Sequence, residues 1–248
     1  LDIINRGGQR VEVLRHSSEE DIYGVNDRVQ LAYAEKILRR RKNYKLMYAG
    51  VTIIDPDATF IDDSVNIGKD TVVFPFTFLA GNTEIGENCR IGPGTFINDS
   101  IVGNATTVEY SRVREARIGD ECTVGPYSYL RPETVIGNQV KIGDFVELKK
   151  TVVGEKSKIP HLSYVGDAIV GKSANIGAGT ITCNYDGKNK YVTIIEDHAF
   201  IGSNTNLIAP ITIGRNAVTG AGSSLSHDVP PDSLAVERAQ AKVKKKRE

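Results

Sequence analysis

Residues 161–190 read HLSYVGDAIVGKSANIGAGTITCNYDGKNK. The middle of this stretch keeps a beat: Val165-Gly166, Val170-Gly171 and Ile176-Gly177 follow one another at five- and six-residue intervals. The beat then stops for a polar run, Cys183 to Lys190, and a lone His161 stands at the head of the stretch. The regular part decides the fold, and the irregular part raises the question of function.

Outward from this stretch the beat extends in both directions. Aliphatic-Gly pairs recur at Ile67, Ile85, Ile91, Val102, Ile118, Val124, Ile136, Ile142, Val153, Ile201 and Ile213, mostly 6, 12 or 18 residues apart, with slips to 5, 11 or 16. The long gap, 25 residues, separates Ile176 from Ile201. A unit of six is too short for a helical repeat and fits a short strand plus a turn. The aliphatic residue points into a coil, and the Gly beside it is expected to ease the turn. Polar turn formers such as Lys69-Asp70 and Asn138-Gln139 follow. Two positions before the aliphatic residue lies a second inward slot, held by Val65, Cys89, Cys122, Val140, Ala174 and Ile211. Cys89 and Cys122 therefore read as core fillers. Three units make an eighteen-residue coil, and stacked coils make an all-β solenoid of parallel strands over residues 51–229.

Ahead of it, NDRVQLAYAEKILRRR (26–41) has an Asn at its N-cap position, apolar residues at Val29, Tyr33 and Ile37, and a basic end. It predicts a linker helix within 26–50. Residues 1–25 have the texture of short strand and loop. Pro230-Pro231 ends the pattern, and residues 230–248 read as a closing segment with a solvated basic tail. The 31 basic and 31 acidic residues balance, which argues against nucleic-acid or anionic-membrane partners. Three scattered Cys and no apolar run of spanning length fit a reducing, cytoplasmic setting. The chain opens without Met and reads as part of a longer or processed product.

Candidate chemistry gathers around the interruption. His161 is either a satisfied structural His or a base. Arg131, Lys149, Lys150 and Lys190 are either solvated surface or, with that His, a seat for a phosphate. Insertions in a repeat protein fall on one face, which often binds, so the loop 183–190 is expected to project and complete a cleft. Cys183 invites an acyl-cysteine, but no adjacent base supports one.

The stretch RPET…FVELKK…HLSYVGDAIVG…NIGAGTITCNYDGKNKY…FIGSNTNLIAPITIG resembles the acetyltransferase domain of the bifunctional bacterial N-acetylglucosamine-1-phosphate uridyltransferase/glucosamine-1-phosphate acetyltransferase family, and EEDIYGVNDRVQLA resembles the end of the family's uridyltransferase domain. The resemblance covers about residues 1–238. It implies a left-handed parallel β-helix, a hand that runs against the usual crossover rule, and homotrimers with active sites between subunits. It implies His161 as general base. It implies Arg131, Lys149, Tyr164 and Lys190 as holders of the sugar phosphate, with Asn175 on the sugar. It implies Ala178, Asn184, Tyr185, Ser203, Ala221 and Arg238 as contacts to acetyl-CoA, with Asn184 also orienting the amine. Where the family writes Arg-Pro-Gly this chain has Arg131-Pro132-Glu133. The family's Mg-dependent uridyl transfer needs a Gly-rich nucleotide loop and a metal-binding Asp, neither of which this sequence carries. Asn26 matches one metal ligand without its partner and reads as the helix N-cap.

The chemistry agrees with the resemblance. Acetyl transfer to an amine needs an unprotonated nucleophile, which an imidazole can provide, and backbone N–H groups around Gly177-Ala178-Gly179 are suited to an oxyanion. Two other readings use the same solenoid: a non-catalytic trimeric scaffold, and a γ-type carbonic anhydrase, which needs clustered His ligands.

Overall fold

The computed structural model describes residues 15, 18–239 and 241–245. Among them thirty short strands form three parallel sheets of eleven, ten and nine strands, here sheets I, II and III. The chain passes through I, II and III in turn, so each circuit is one coil and each sheet edge is a corner. Successive coils pair in strict register, for example Val73 with Ile91, Val108 with Val124 and Ile142 with Ile159.

The six-residue beat explains this. A two-residue strand has one inward position, and the aliphatic residue takes it. Ile91, Val108, Val124, Ile142, Ile159, Ile176 and Ile201 are completely buried in a single column of sheet I. Each buried side chain of this kind contributes about 1.5–3 kcal/mol relative to exposure. Strand backbones are satisfied by the coil above and the coil below, so no coil is stable alone.

The corners hold a second ladder. Thr71 Oγ1 donates to Gly86 O at 2.8 Å and accepts the Cys89 amide at 3.0 Å; Thr106 repeats the motif with Gly119 O and the Cys122 amide. Cys89 and Cys122 occupy the same column, 1% and 2% exposed, with Sγ against the carbonyls of Gly103 and Gly137. They are the core fillers the sequence implies, and burial pushes both thiols up.

The expected role of the repeat Gly needs correcting. Left-handed backbone occurs two residues later, at Asp70 (φ 61), Asn88 (φ 57), Gln139 (φ 59) and Lys156 (φ 62). The Gly is required instead by the next coil. An added Cβ would lie 1.9 Å from Pro160 O at Gly143 and 2.6 Å from Gly171 O at Gly154. Gly92 (φ 97) and Gly125 (φ 109) do follow the expected reason.

The helix spans Arg28–Tyr48, seven residues past the basic run read as its end, with Lys45 in its last turn. Its cap is Asp27, not Asn26: Asp27 Oδ1 accepts the Gln30 amide at 2.7 Å, while Gln30 Oε1 accepts the Asn26 amide at 2.6 Å. The carboxylate one position later is the stronger acceptor for the first turn. Up to Arg41 the helix belongs to one compact unit with the residues before it. There Arg41 pairs with Glu20 and Asp21, and Ile37 is buried, but Val29, Leu31, Tyr33 and Leu38 are exposed. The apolar period marks a face without specifying a cover for it. The solenoid's own unit starts at Lys42. Lys42 Nζ donates to the carbonyls of Asp63 and Val65, both at 2.7 Å, and buried Asn43 donates to those of Pro56 and Thr59. With Leu46 in the core, these side chains close the solenoid's first coils. Most of the expected 1–25 remnant, and Lys246 to Glu248 of the basic tail, lie outside the described residues.

Candidate active site

Strand alternation puts every second residue of sheet II outside. In consecutive coils the register sets Arg131 beside Lys149 and Lys149 beside Gly166, and pairs Glu147 with Tyr164. Arg131 Nη1 donates to Glu147 Oε1 at 2.8 Å. Lys149, 13% exposed, donates to Asp167 Oδ2 at 2.7 Å and Oδ1 at 2.9 Å, and Asn184 Nδ2 donates to the same Oδ2. Burial works to raise the Asp167 carboxyl, but the hydrogen bonds from Lys149 and Asn184 outweigh it and hold the group below the usual carboxylate range. Burial likewise works to lower Lys149, and the Asp167 carboxylate outweighs it, so the ammonium is held above its ordinary value. The Tyr164 hydroxyl lies over Gly166, where an added Cβ would come within 2.4 Å of it.

The interruption 183–190 leaves sheet II at its edge. Asp186 Oδ1 accepts the amides of Lys188 and Asn189, both at 2.7 Å, and Tyr185 bridges Lys190 in antiparallel fashion. This tight turn swings Lys190 back toward Lys149, and hydrogen bonding with the Lys149 amine, reinforced by its like charge, pulls Lys190 below its ordinary value. Two ammonium groups and a guanidinium thus share one outer face, which is an arrangement suited to an anion.

His161 stands at the corner between sheets I and II. Its side chain is 53% exposed, and its Nδ1 is 2.5 Å from Asp144 Oδ1. It is an outward corner residue, not a core one. Asp144 is its register partner one coil earlier. Continuing the register from Lys158 with Asn175, Asn175 with Phe200 and Phe200 with Val218 places Ala178, Ser203 and Ala221 at the same corner position in the next three coils. The adjoining corner position carries Tyr127, Phe145 and Leu162 up to the His161 coil, then Gly179, Asn204 and Gly222. Large apolar side chains at this position therefore end with the His161 coil. An added Cβ on Gly222 would come 4.0 Å from Arg238 Cδ, so Arg238 closes this column.

The fold thus unites the sequence-derived residues in two groups. Arg131, Lys149, Tyr164, Asn184, Tyr185 and Lys190 lie along the outer face and far edge of sheet II. His161, Ala178, Ser203, Ala221 and Arg238 lie at its near corner. Asn175 is the exception: it faces outward from sheet I, around the corner from Tyr164. Sequence reasoning missed Asp144, Glu147 and Asp167. A spacing of one coil was the available signal, since Asp144 precedes His161 by 17 residues and Asp167 precedes Asn184 by 17. Glu133 sits at φ 66 with its carboxylate 3.0 Å from Lys150 Nζ; the left-handed backbone explains the family's Gly there. Burial pushes the Cys183 thiol up, away from a reactive thiolate. His198 lies in the turn between sheets III and I, at a different corner from His161.

Residues 112–185 match the family described as GMPPB C-terminal domain, and residues 64–99 and 193–227 match bacterial transferase hexapeptide (six repeats). The chain is 58% identical over 242 residues to the bifunctional protein GlmU of Syntrophomonas wolfei, covering 98% of this chain and 54% of that protein. It is 60% identical over 240 residues to the bifunctional protein GlmU of Carboxydothermus hydrogenoformans, covering 97% and 54%. The chain spans about half the length of the curated relatives it matches. A solved Arabidopsis UDP-N-acetylglucosamine acyltransferase superposes with a TM-score of 0.51 at 19% identity, over 76% of this chain and 70% of that one, a likeness of fold. The chain is a left-handed hexapeptide-repeat β-helix and is similar over nearly its whole length to the C-terminal part of the bifunctional GlmU proteins.

Proposed function

We propose that this chain transfers acetyl from acetyl-CoA to the 2-amino group of glucosamine 1-phosphate, giving the N-acetylglucosamine 1-phosphate from which UDP-N-acetylglucosamine, a cell-wall precursor, is made. The observation that carries the reading is the cationic face of Arg131, Lys149 and Lys190 on sheet II, one corner away from His161. Arg131, Lys149, Lys190 and the Tyr164 hydroxyl hold the phosphate. Asp167 fixes Lys149 and Asn184 together, and Asn184 orients the amine. His161 takes a proton from the amine as it attacks the thioester carbonyl; the C–N bond forms, the C–S bond breaks, and the proton passes to the leaving thiolate. The Gly177 amide is spent on Ile201 O at 2.8 Å, so the backbone amides of Ala178 and Gly179 serve the developing oxyanion. No covalent enzyme intermediate is needed.

Acetyl-CoA supplies the activated acetyl group. Ala178, Ser203 and Ala221 suit it, because that one corner position holds nothing larger than a hydroxymethyl group in three successive coils. Arg238 at the end of the column offers charge to its phosphates, and Tyr185 lies in the loop at the far edge of sheet II. This mechanism needs no metal, and Mg belongs only to uridyl transfer. Acetyl-CoA availability places the reaction in the cytoplasm; no described helix is long and apolar enough to cross a membrane.

The working form is a homotrimer with sites between subunits. Two observations support this. Asn175 lies on a different face from Tyr164, so one chain does not enclose a sugar phosphate. And Tyr110, Tyr127, Phe145 and Leu162 form an exposed apolar row along the corner that ends at the His161 coil, with the Tyr127 and Phe145 rings 5.5 Å apart. Replacing Tyr127 and Phe145 together by Lys is expected to shift the mass in light scattering from three copies to one and to remove activity. A parent protein of monomer mass at working concentration refutes the shared site.

The reading is tested by acetyl transfer to glucosamine 1-phosphate set against free glucosamine. The expected preference in kcat/KM is at least about 10²-fold, the worth of two charge-assisted hydrogen bonds. Equal rates with the two acceptors would remove the phosphate seat, and no thioester consumption with either would leave the scaffold reading.

A further inference from the structure

We infer that Asp144 is a positioning residue for His161: its carboxylate accepts a hydrogen bond from Nδ1–H, which keeps the proton on Nδ1 and leaves the Nε2 lone pair free to act as the base. The inference rests on the acetyl-transfer reading above and adds a residue and a tautomer to it.

The geometry comes from the coil stack. The strands Lys141–Asp144 and Lys158–His161 are parallel neighbours, and Asp144 and His161 are partners in their register. Residues so placed point the same way from adjacent strands about 4.7–4.9 Å apart. The corner is pinned on both sides of the pair. The Leu162 amide donates to Asp144 O at 2.9 Å, and Gly143 leaves room for the Pro160 carbonyl. The side chains meet at 2.5 Å between Oδ1 and Nδ1 although both are substantially exposed, so the backbone, not enclosure, brings them together.

The chemistry follows from which partner can donate. The hydrogen bond from His161 is the chief cause that holds the Asp144 carboxyl below the usual carboxylate range. At neutral pH Asp144 is therefore an acceptor only. The proton between them belongs to Nδ1, and a neutral ring then carries its lone pair on Nε2. Neutral histidine in water otherwise prefers its proton on Nε2, the wrong place for a base that uses that nitrogen. As the imidazolium forms during proton transfer, the carboxylate also sits against the new charge. Asp144 touches neither substrate on this account, so its effect passes through His161.

The test compares Asp144→Leu, Asp144→Glu and His161→Ala with the parent by steady-state kinetics. The ¹⁵N resonances of the ring report the tautomer. Asp144→Leu is expected to lower kcat about 10²-fold with little change in either KM, and to move the ring proton from Nδ1 to Nε2. Asp144→Glu keeps the acceptor and is expected to recover most of the loss. In a His161→Ala background, Asp144→Leu is expected to cost nothing further. Asp144→Leu with kcat within about twofold of the parent, or with the Nδ1–H tautomer intact, overturns the assignment. His161→Ala separates the two levels of inference. If it is inactive while Asp144→Leu is active, the role of Asp144 falls and the base stands; if it turns over like the parent, the base itself falls and Asp144 with it.

Discussion

His161→Ala is expected to lower acetyl transfer by about 10²–10⁴-fold, the usual worth of a positioned general base, while the protein melts almost where the parent does. The side chain is more than half exposed, makes one hydrogen bond, and fills no part of the core. Its loss leaves no cavity, and exposed substitutions of this kind stay within about 0.5 kcal/mol. Acetyl-CoA binding should also persist, because the corner of Ala178, Ser203 and Ala221 lies in the following coils. Melting and turnover are measured on the same variant. A lowered melting point with normal turnover per folded molecule would make His161 a structural residue. A lost rate with an unchanged melting point is the expected pattern.

Gly143→Ala is expected to act in the opposite way, through the fold. The added Cβ would fall 1.9 Å from the Pro160 carbonyl oxygen, and both are backbone-bound atoms with no flexible side chain to move aside. The two coils must separate locally, and strand pairing on both sides of the corner weakens. Overpacking of this sort costs about 1–3 kcal/mol and occasionally more, read as a drop in the denaturation midpoint. Asp144 and His161 flank this corner, so turnover per folded molecule should fall too. The same change at Gly187, where nothing lies within 4 Å but φ is 100, should cost only backbone strain, about 1 kcal/mol. Equal melting points for the parent and Gly143→Ala would remove close approach as the reason for the repeat glycines.

The inward column of the solenoid was legible because a two-residue strand has a single inward position. Any aliphatic residue recurring every six residues must fill it, so Ile142, Ile176 and Ile201 could be placed without coordinates. The insertion at 183–190 was legible for the same reason, as an interval the period could not absorb. What escaped was whatever depends on the neighbouring coil. The glycines were assigned to turns, yet most are dictated by a carbonyl one coil away, and the left-handed angles fall on Asp, Asn, Gln and Lys two residues later. The helix cap slipped by one residue because Asn26 and Asp27 are both good caps, and only the position of the first turn chooses between them.

The site divides along the same line. Residue type and resemblance single out His161, Arg131, Lys149, Tyr164 and Lys190, since a base and cations in a Gly-rich repeat are conspicuous. Their mutual placement is a tertiary matter. Coils here are 16 to 25 residues long, so partners across a coil boundary share no short motif. Asp144 and Asp167 are ordinary acidic turn residues in the sequence. They become a ring's hydrogen-bond acceptor and the tie between Lys149 and Asn184 only when stacking brings residues 17 or 18 apart to hydrogen-bonding distance. The sequence by itself determined the period, the inward column and the place where the pattern breaks, because these depend on neighbours along the chain. Only the stacked structure decided which glycines are obligatory, which corner carries His161, and which carboxylates hold the site together, because those depend on neighbours one coil away.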